Sequence, residues 1–305
     1  MTTSLDRFHS TEALIRKALG TPSYCRPGVL LYQMDCLEAM KRLPPGIVDL
    51  TVTSPPYNIG KEYETVADVD QYISWCVEWI TSIARLSGPR SSFWLNVGYL
   101  PLADKAKCLP IPYLLWDKVP LFLIQEVVWN YGAGVAARKN YSPRNEKFLW
   151  YAKNPDEYTF NLDDVRDPNV KYPNQKKNGK LKCNPLGKNP TDVWEFPKVT
   201  SGANRASPER TAHPAQFPIA VIDRIVRASS NQGDLLLDPF MGSGTTAEVA
   251  LSTGRPVIGF ELEARYISIA AERLDNFHEW ETAAKAQRSL PIFEEQSKLS
   301  SLDFG

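Results

Sequence analysis

Leu235-Leu236-Leu237-Asp238-Pro239-Phe240-Met241-Gly242-Ser243-Gly244-Thr245-Thr246 is an apolar run, a glycine-containing turn and the opening of a helical segment. Periodicity predicts a buried strand over Asp234 to Asp238 and a helix over Ser243 to Leu251. A second strand follows over Pro256 to Glu261, then a helix over Ala264 to Asn276. Such a β-α-β-α run implies a parallel sheet with right-handed crossovers, and ligands bind outside the carboxyl ends of such strands. Glycines let the backbone approach a ligand closely. Free N–H groups at a helix start favour a carboxylate or phosphate. Thr245 and Thr246 add hydroxyl donors, and Glu261, closing the next strand, can accept hydrogen bonds from both hydroxyls of a ribose. Together these features describe a site for an adenosine-containing ligand. The turn is neither the dinucleotide fingerprint, since Gly242 and Gly244 are followed by Thr246, nor a P-loop, since no Gly-Lys-Ser/Thr follows. A purely structural βα turn is the competing reading. The Asp238-Pro239-Phe240 run before the glycines and Glu261 after them favour the cofactor.

Working upstream, Phe217 to Ala228 reads as a helix. The stretch from Asn154 to Thr211 is different in character, rich in Pro, Asn, Lys and Gly with few apolar runs; a segment this long without clear elements is usually functional or mobile. Between Arg166 and Pro190 it carries Arg166, Lys171, Lys176, Lys177, Lys180, Lys182 and Lys188, opposed only by Asp167. The formal net charge of the chain is zero, which argues neither for nor against a nucleic-acid partner; such a partner would require positive charge gathered on one face, and this stretch is a basic concentration that the neutral total conceals. Arg138, Lys139 and Arg144, with Tyr141 interleaved, form a second basic group. A solvated loop is the competing reading of both.

Further upstream, Val48 to Thr53 reads as a buried strand running directly into Ser54-Pro55-Pro56-Tyr57-Asn58. Consecutive prolines fix the backbone and remove two N–H donors, leaving carbonyl oxygens presented on a rigid loop. Ser54 adds an acceptor and Tyr57 a flat face for stacking. An exocyclic amine of a base needs these groups. Its lone pair is delocalised into the ring, and acceptors on its two hydrogens draw it toward tetrahedral geometry, so that it can attack a methyl sulfonium in line. The rate gain comes from positioning and oriented dipoles. A proline-rich turn with a surface tyrosine is the alternative for this motif alone. The remaining predicted elements are a helix over Thr11 to Leu19, a strand over Val29 to Gln33, a helix over Cys36 to Arg42, an amphipathic helix over Val69 to Leu86, and strands over Ser92 to Val97, Leu121 to Trp129 and Lys147 to Ala152.

Composition is that of a globular protein, with 43% hydrophobic and 23% charged residues among 305. Five cysteines without a C-x-x-C pair disfavour a disulfide framework or zinc site. Three histidines far apart disfavour a metal centre, so no metal is expected. No apolar run has signal-peptide or membrane-spanning length, which predicts a cytoplasmic protein without a membrane partner.

In its Ser-Pro-Pro-Tyr loop (54–57) and its Asp-Pro-Phe-x-Gly-Ser-Gly-Thr-Thr loop (238–246) the chain resembles the S-adenosylmethionine-dependent DNA amino-methyltransferases. The order of the two loops is that of the permuted β-class. Met34-Asp35-Cys36-Leu37 is similar to the family's Gly-Asp-x-Leu segment, with Met in place of Gly. His213-Pro214-Ala215-Gln216-Phe217-Pro218 is similar to its His-Pro-x-x-x-Pro segment, and Asp192-Val193-Trp194 and Arg144-Asn145-Glu146 are also similar to family segments. The resemblance spans roughly residues 33 to 275. It implies a Rossmann-like α/β fold, circularly permuted, with a mostly parallel seven-stranded sheet and a DNA-recognition insertion. The implied division is a catalytic half over 1–153, the insertion over 154–211, a cofactor half over 212–284 and a polar tail over 285–305. It implies S-adenosylmethionine as cofactor, held by Asp35, Thr53, His213, Pro214, Phe217, Asp238, Pro239, Phe240, Gly242, Ser243, Gly244, Thr245, Thr246 and Glu261. Catalysis falls to Ser54, Pro55, Pro56 and Tyr57: Ser54 and the Pro55 carbonyl hold the amine, and Tyr57 stacks on a base flipped from duplex DNA. Arg138, Lys139, Arg144, Lys171, Lys176, Lys177, Lys180 and Lys182 are the expected DNA contacts. Trp129 and Trp194 read as core or cleft-wall residues.

In this family Ser at the first loop position goes with cytosine N4 and Asp with adenine N6, so cytosine N4 is the expected target. Adenine N6, an RNA or protein amine, and non-enzymatic nucleic-acid binding are the alternatives. A C5-cytosine enzyme is disfavoured because no cysteine follows a proline. A homodimer and a cognate restriction endonuclease are further expectations of the family.

Overall fold

The computed structural model describes residues 4–277 except 63–64, 103, 133, 135, 200–206 and 208. The predicted tail over 285–305 lies outside the described residues, as does part of the 154–211 segment. The main sheet contains β1 (Tyr24–Arg26), β2 (Val29–Gln33), β3 (Val48–Thr53), β4 (Ser87–Val97), β5 (Phe122–Asn130), β6 (Asn145–Ala152), β7 (Val193–Glu195), β8 (Leu236–Asp238) and β9 (Val257–Glu261). Helices are α1 (Ser4–Leu19), α2 (Cys36–Arg42), α3 (Val69–Leu86), α4 (Pro112–Leu115), α5 (Ile219–Ser229), α6 (Thr245–Ser252) and α7 (Ala264–Asp275).

The strand order is β1-β2-β9-β8-β3-β4-β6-β5-β7. The central pairings from β2 to β4 are parallel, while β6 runs antiparallel to both β4 and β5. The predicted sheet of seven strands is therefore extended to nine by two three-residue edge strands, β1 and β7. Strands this short carry no readable alternation, which is why periodicity missed them.

Both faces of the sheet are covered, and side-chain alternation divides them. Leu30 and Tyr32 of β2, Phe93, Leu95 and Val97 of β4, and Leu149 and Tyr151 of β6 face one core with α1, α2 and α3. Val29 and Leu31, Trp94, and Phe148 and Trp150 of the same strands face the other core with α5, α6 and α7. On α5 the buried residues Val221, Ile222, Ile225 and Val226 form the single apolar stripe that a surface helix needs.

The topology positions the site. From β3 the chain crosses through α3 to β4 on one side, and from β8 it crosses through α6 to β9 on the other. Strands β3 and β8 are parallel neighbours, with Leu50 opposite Leu236 and Thr51 opposite Leu237. The loops leaving their carboxyl ends, 185 residues of sequence apart at Thr53 and Asp238, emerge side by side at the point where the strand order reverses.

Candidate active site

The loop after β8 is organised around one buried carboxylate. Asp238 accepts from the Thr53 hydroxyl at 2.7 Å, the Thr246 hydroxyl at 2.7 Å and the Phe240 N–H at 3.1 Å. It thereby ties the end of β3, its own turn and the first turn of α6 together. Burial raises its pKa to about 6, and those same three donors oppose the rise. Gly242 and Gly244 have φ of 51° and 79°, in the left-handed region. A Cβ on Gly242 would come within 3.0 Å of the His213 ring.

Glu261 closes β9 beneath this turn. One carboxylate oxygen accepts from the Gly242 N–H at 2.9 Å and the other from the Glu263 N–H at 2.9 Å. Burial raises its pKa as well. The sequence suggested Thr245 and Thr246 as donors to a ligand, but both hydroxyls are engaged within the protein. Thr246 donates to Asp238, and Thr245 donates to the Phe217 carbonyl at 3.3 Å while accepting from Arg273 at 2.8 Å. Arg273 is itself paired with Glu248 behind the turn, where both side chains are buried.

Asp35 is the N-cap of α2, accepting from the N–H groups of Leu37 and Glu38 at 2.9 and 3.0 Å through one carboxylate oxygen. His213 lies edge-on to Tyr266, with ring centroids 4.3 Å apart, and its Nδ1 accepts from the Ala215 N–H at 3.1 Å. Burial, reinforced by the positive charges of Lys61 and Arg265, lowers its pKa to about 4, so the imidazole is neutral at neutral pH.

After β3 the Ser-Pro-Pro-Tyr loop faces the same cleft. Ser54 donates its only proton to the Tyr57 hydroxyl at 3.0 Å, and Tyr57 donates to Asn96 Oδ1 at 2.7 Å. Asn96 is oriented by its own donation to the Lys147 carbonyl at 3.1 Å. Because the Ser54 proton points at Tyr57, Ser54 can only accept toward the cleft. The Pro56 carbonyl accepts from Tyr72 at 2.9 Å. Among the described residues no hydrogen bond reaches the Pro55 carbonyl, so it is the acceptor left over. The Tyr57 ring lies against Gly98, where a Cβ would come within 2.9 Å of Cε2. Burial, with the nearby Glu146 charge, keeps the Tyr57 phenol protonated by raising its pKa well above the ordinary value.

Both loops line one cleft of about 480 Å³. Its wall includes Asp35, Ser54, Pro55, Pro56, Tyr57, His213, Pro214, Phe217 and the residues from Asp238 to Ser243 with Glu261. That volume is in the range of small-molecule sites.

Residues 48–272 match the profile of the DNA methylase family of N6 and N4 type. The chain belongs to the N6/N4 DNA methylase family. The type II methyltransferase M.ScaI of Streptomyces caespitosus is 63% identical over 261 residues, covering 86% of this chain and 86% of that protein. The DNA adenine methyltransferase YhdJ of Escherichia coli K12 is 34% identical over 282 residues, covering 88% and 91%. Among solved structures, the cytosine-N4-specific PvuII DNA methyltransferase shares the fold with a TM-score of 0.65 at 20% identity, over 85% of this chain and 94% of that one. The M1.HpyAVI–SAM complex does so with a TM-score of 0.54 at 24% identity, over 81% and 99%.

The cleft of this DNA methylase includes residues that its motifs did not indicate. Asn96, at the end of β4, and Trp129, in β5, reach it, and so does Lys198, beyond β7. Lys198 forms an ion pair of 2.6 Å with Glu146. In the sequence Glu146 stands out only as part of the Arg144-Asn145-Glu146 segment. Trp194 packs in the core, 7% exposed, while Trp129 serves both core and cleft wall.

The expected DNA-contacting residues lie elsewhere on the surface. Arg138, Lys139, Lys171, Lys176, Lys177, Lys180 and Lys182 are exposed, and Arg144 is half-buried with its guanidinium donating to the Pro143 carbonyl at 2.8 Å. Lys176–Lys177 and Lys180–Leu181 form a small antiparallel hairpin around Asn178-Gly179. Arg166 and Lys188 pair with Asp163 and Asp167. The four hairpin lysines 176, 177, 180 and 182 have no ion pair among the described residues. No helix among them is long and apolar enough to cross a membrane.

Proposed function

We propose that this DNA methyltransferase transfers a methyl group from S-adenosylmethionine to cytosine N4 in duplex DNA after base flipping. The observation that carries the reading is the direction of the hydrogen bonds at Ser54. Its proton is committed to Tyr57, so Ser54 Oγ and the Pro55 carbonyl together offer two acceptors to the two hydrogens of an exocyclic amine. Accepting both hydrogens localises the nitrogen lone pair and aims it. Tyr57, backed by Gly98, offers its ring face to the flipped base.

The cofactor supplies an electrophilic methyl group on a sulfonium. The residues present fit it. Glu261 would accept from the ribose hydroxyls, Asp35 would meet the adenine, and His213 with Phe217 would cover the cofactor. Neutral His213 adds no positive charge against a sulfonium. Asp238, Thr53 and Thr246 act by holding the two loops in register, because their polar groups are engaged with one another.

The segment 154–211 is read as the DNA-recognition region, with residues 1–153 and 212–284 as the catalytic and cofactor halves. The unpaired hairpin lysines would hold phosphates. The likeness to type II methyltransferases supports a role beside a restriction endonuclease of matching specificity. Adenine N6 is the second reading, favoured by the similarity to the E. coli adenine methyltransferase. The experiment is to incubate the protein with unmethylated mixed-sequence DNA and labelled S-adenosylmethionine, digest to nucleosides and resolve them by mass spectrometry. N4-methylcytosine is expected. N6-methyladenine would keep the mechanism and overturn the choice of base.

A further inference from the structure

The base end of the cleft contains a charged pair whose work the reaction above leaves unassigned. From Ser54 a continuous polar line runs through the Tyr57 hydroxyl to Glu146 Oε2, 3.3 Å from it, and from Glu146 Oε1 to Lys198 Nζ at 2.6 Å. Lys198 is also seated on aromatic faces, with Nζ 3.8 Å from the Tyr131 ring centroid and 5.7 Å from that of Trp129. Trp129 is in turn fixed by donating to the Phe196 carbonyl at 2.7 Å. Three neighbours thus hold one ammonium in place, and among the described residues one of its three N–H donors is hydrogen-bonded, while Lys198 lines the cleft.

We infer that Lys198 is a specificity-determining residue that donates a hydrogen bond to the O2 carbonyl of the flipped cytosine; this rests on the cytosine-N4 reading. The chemistry of the two candidate bases decides the matter. A cytosine seated with its amine at Ser54 and Pro55 presents, moving along the same edge, the N3 acceptor and then the O2 acceptor. An adenine seated the same way presents N1 and then a carbon-bound hydrogen. A fixed cation beside the third position gains a charge-assisted bond from cytosine and is left facing C–H by adenine. Glu146 keeps the ammonium aimed, and its other oxygen faces the Tyr57 hydroxyl, so the pair links the base edge to the acceptor loop. Selection by Lys198 would add to whatever the first loop residue contributes.

The test compares wild type with Lys198→Met, Lys198→Arg and Lys198→Gln on unmethylated mixed-sequence DNA. The readouts are kcat/KM, the ratio of N4-methylcytosine to N6-methyladenine, S-adenosylmethionine affinity by calorimetry, and Tm. Loss of one charge-assisted bond corresponds to roughly 10- to 100-fold in cytosine methylation. Lys198→Met is expected to show that loss and a lower ratio of the two products, with cofactor affinity held within about twofold. Lys198→Arg should restore most of it. If Lys198→Met is recovered unfolded, Lys198→Gln, which keeps a neutral donor of similar reach, should show a smaller loss in the same direction. Unchanged cytosine methylation in Lys198→Met overturns the assignment while leaving the cytosine reading intact. A loss matched by equal loss of cofactor affinity and not rescued by Arg also overturns it, since the lysine would then only support packing. A wild-type product of N6-methyladenine overturns the cytosine reading and this assignment together.

Discussion

The two ends of the cleft are built on opposite plans. At the cofactor end the turn after β8 is organised from a short stretch of chain. Asp238, the Phe240 N–H and Thr246 lie within nine residues and are joined by Thr53 and Glu261 from other strands, while Asp35 and His213 line the cleft around that turn. At the base end Ser54 and Tyr57 are contiguous, but their partners come from β4 (Asn96), β6 (Glu146) and the segment after β7 (Lys198). A site made of local backbone geometry carries its instructions in a motif. A site made of tertiary register does not.

The sharpest break of that comparison is expected at Asp238, the one group that joins the two ends. Asp238→Ala leaves two buried hydroxyls and a backbone N–H without their acceptor, a loss on the order of 4 kcal/mol in folding stability. Urea unfolding would measure it. Cofactor affinity and turnover should fall together, because both loops lose their registration. A loss below about 1 kcal/mol would mean that the sheet alone registers the loops.

Ser54→Ala should separate the two ends. Removing one preorganised acceptor at the reacting amine is expected to lower turnover about 100- to 1000-fold. Cofactor affinity should stay within about twofold, since Ser54 makes no hydrogen bond to the turn after β8. Single-turnover rates and calorimetry check this. Equal losses in both would mean that Ser54 supports the cleft as a whole. Tyr57→Ala should follow the same pattern, with turnover falling far more than cofactor affinity.

What sequence could reveal follows the same division. The limits of α2 and α3, and of β2 and β3, were predicted to the residue, because long amphipathic or apolar runs declare themselves. The β8–α6–β9–α7 unit was legible for the same reason, and its glycines marked the turn. The two three-residue edge strands were not legible, being too short for periodicity, and neither was the hairpin over Tyr99–Leu102 and Ala106–Pro110, whose strands hold no apolar run like that of β2. Thr245 and Thr246 looked like ligand donors because hydroxyls at a helix start face outward by default; only the packed structure places Phe217, Arg273 and Asp238 against them. Asn96 and Lys198 had no local pattern at all. Glu146 had one, but its meaning depends on Lys198 being opposite it.

Gly98→Ala tests whether the base end is as finely fitted as its network suggests. The added methyl would meet the Tyr57 ring at 2.9 Å and push it toward the cleft. Displacing a stacking surface by a few tenths of an ångström should lower turnover by roughly 10-fold while cofactor affinity holds. Unchanged turnover would show that the ring moves freely, and that the hydroxyl bonds to Ser54 and Asn96 are not needed to set its position.

A region outside the cleft provides a third term. The hairpin lysines are exposed and make no ion pair among the described residues, so their effect should be electrostatic and blind to the cofactor. Lys176→Ala combined with Lys177→Ala should weaken DNA binding and reduce the slope of log K against log salt by about 1.8, the value for two lost phosphate contacts. Cofactor affinity should not change. An unaltered slope in a salt titration would remove both lysines from the DNA interface.

The smallest effect is expected at His213, a titratable residue of the cleft wall. Folding lowers its pKa to about 4 against an ordinary 6.5, chiefly through burial. The unfolded chain therefore binds more protons between these values. The resulting stabilisation is fully present above about pH 6.5 and is lost as pH falls toward 4. Allowing for the partial exposure of the ring, the change between pH 6.5 and 5 should be on the order of 1 kcal/mol. His213→Gln, which cannot titrate, should flatten that part of the stability curve and leave the region above pH 7 nearly unchanged. If the wild-type and variant curves run parallel through pH 5, the imidazole is not held neutral by its surroundings. The cleft around His213 would then be more open to water than its packing against Tyr266 indicates.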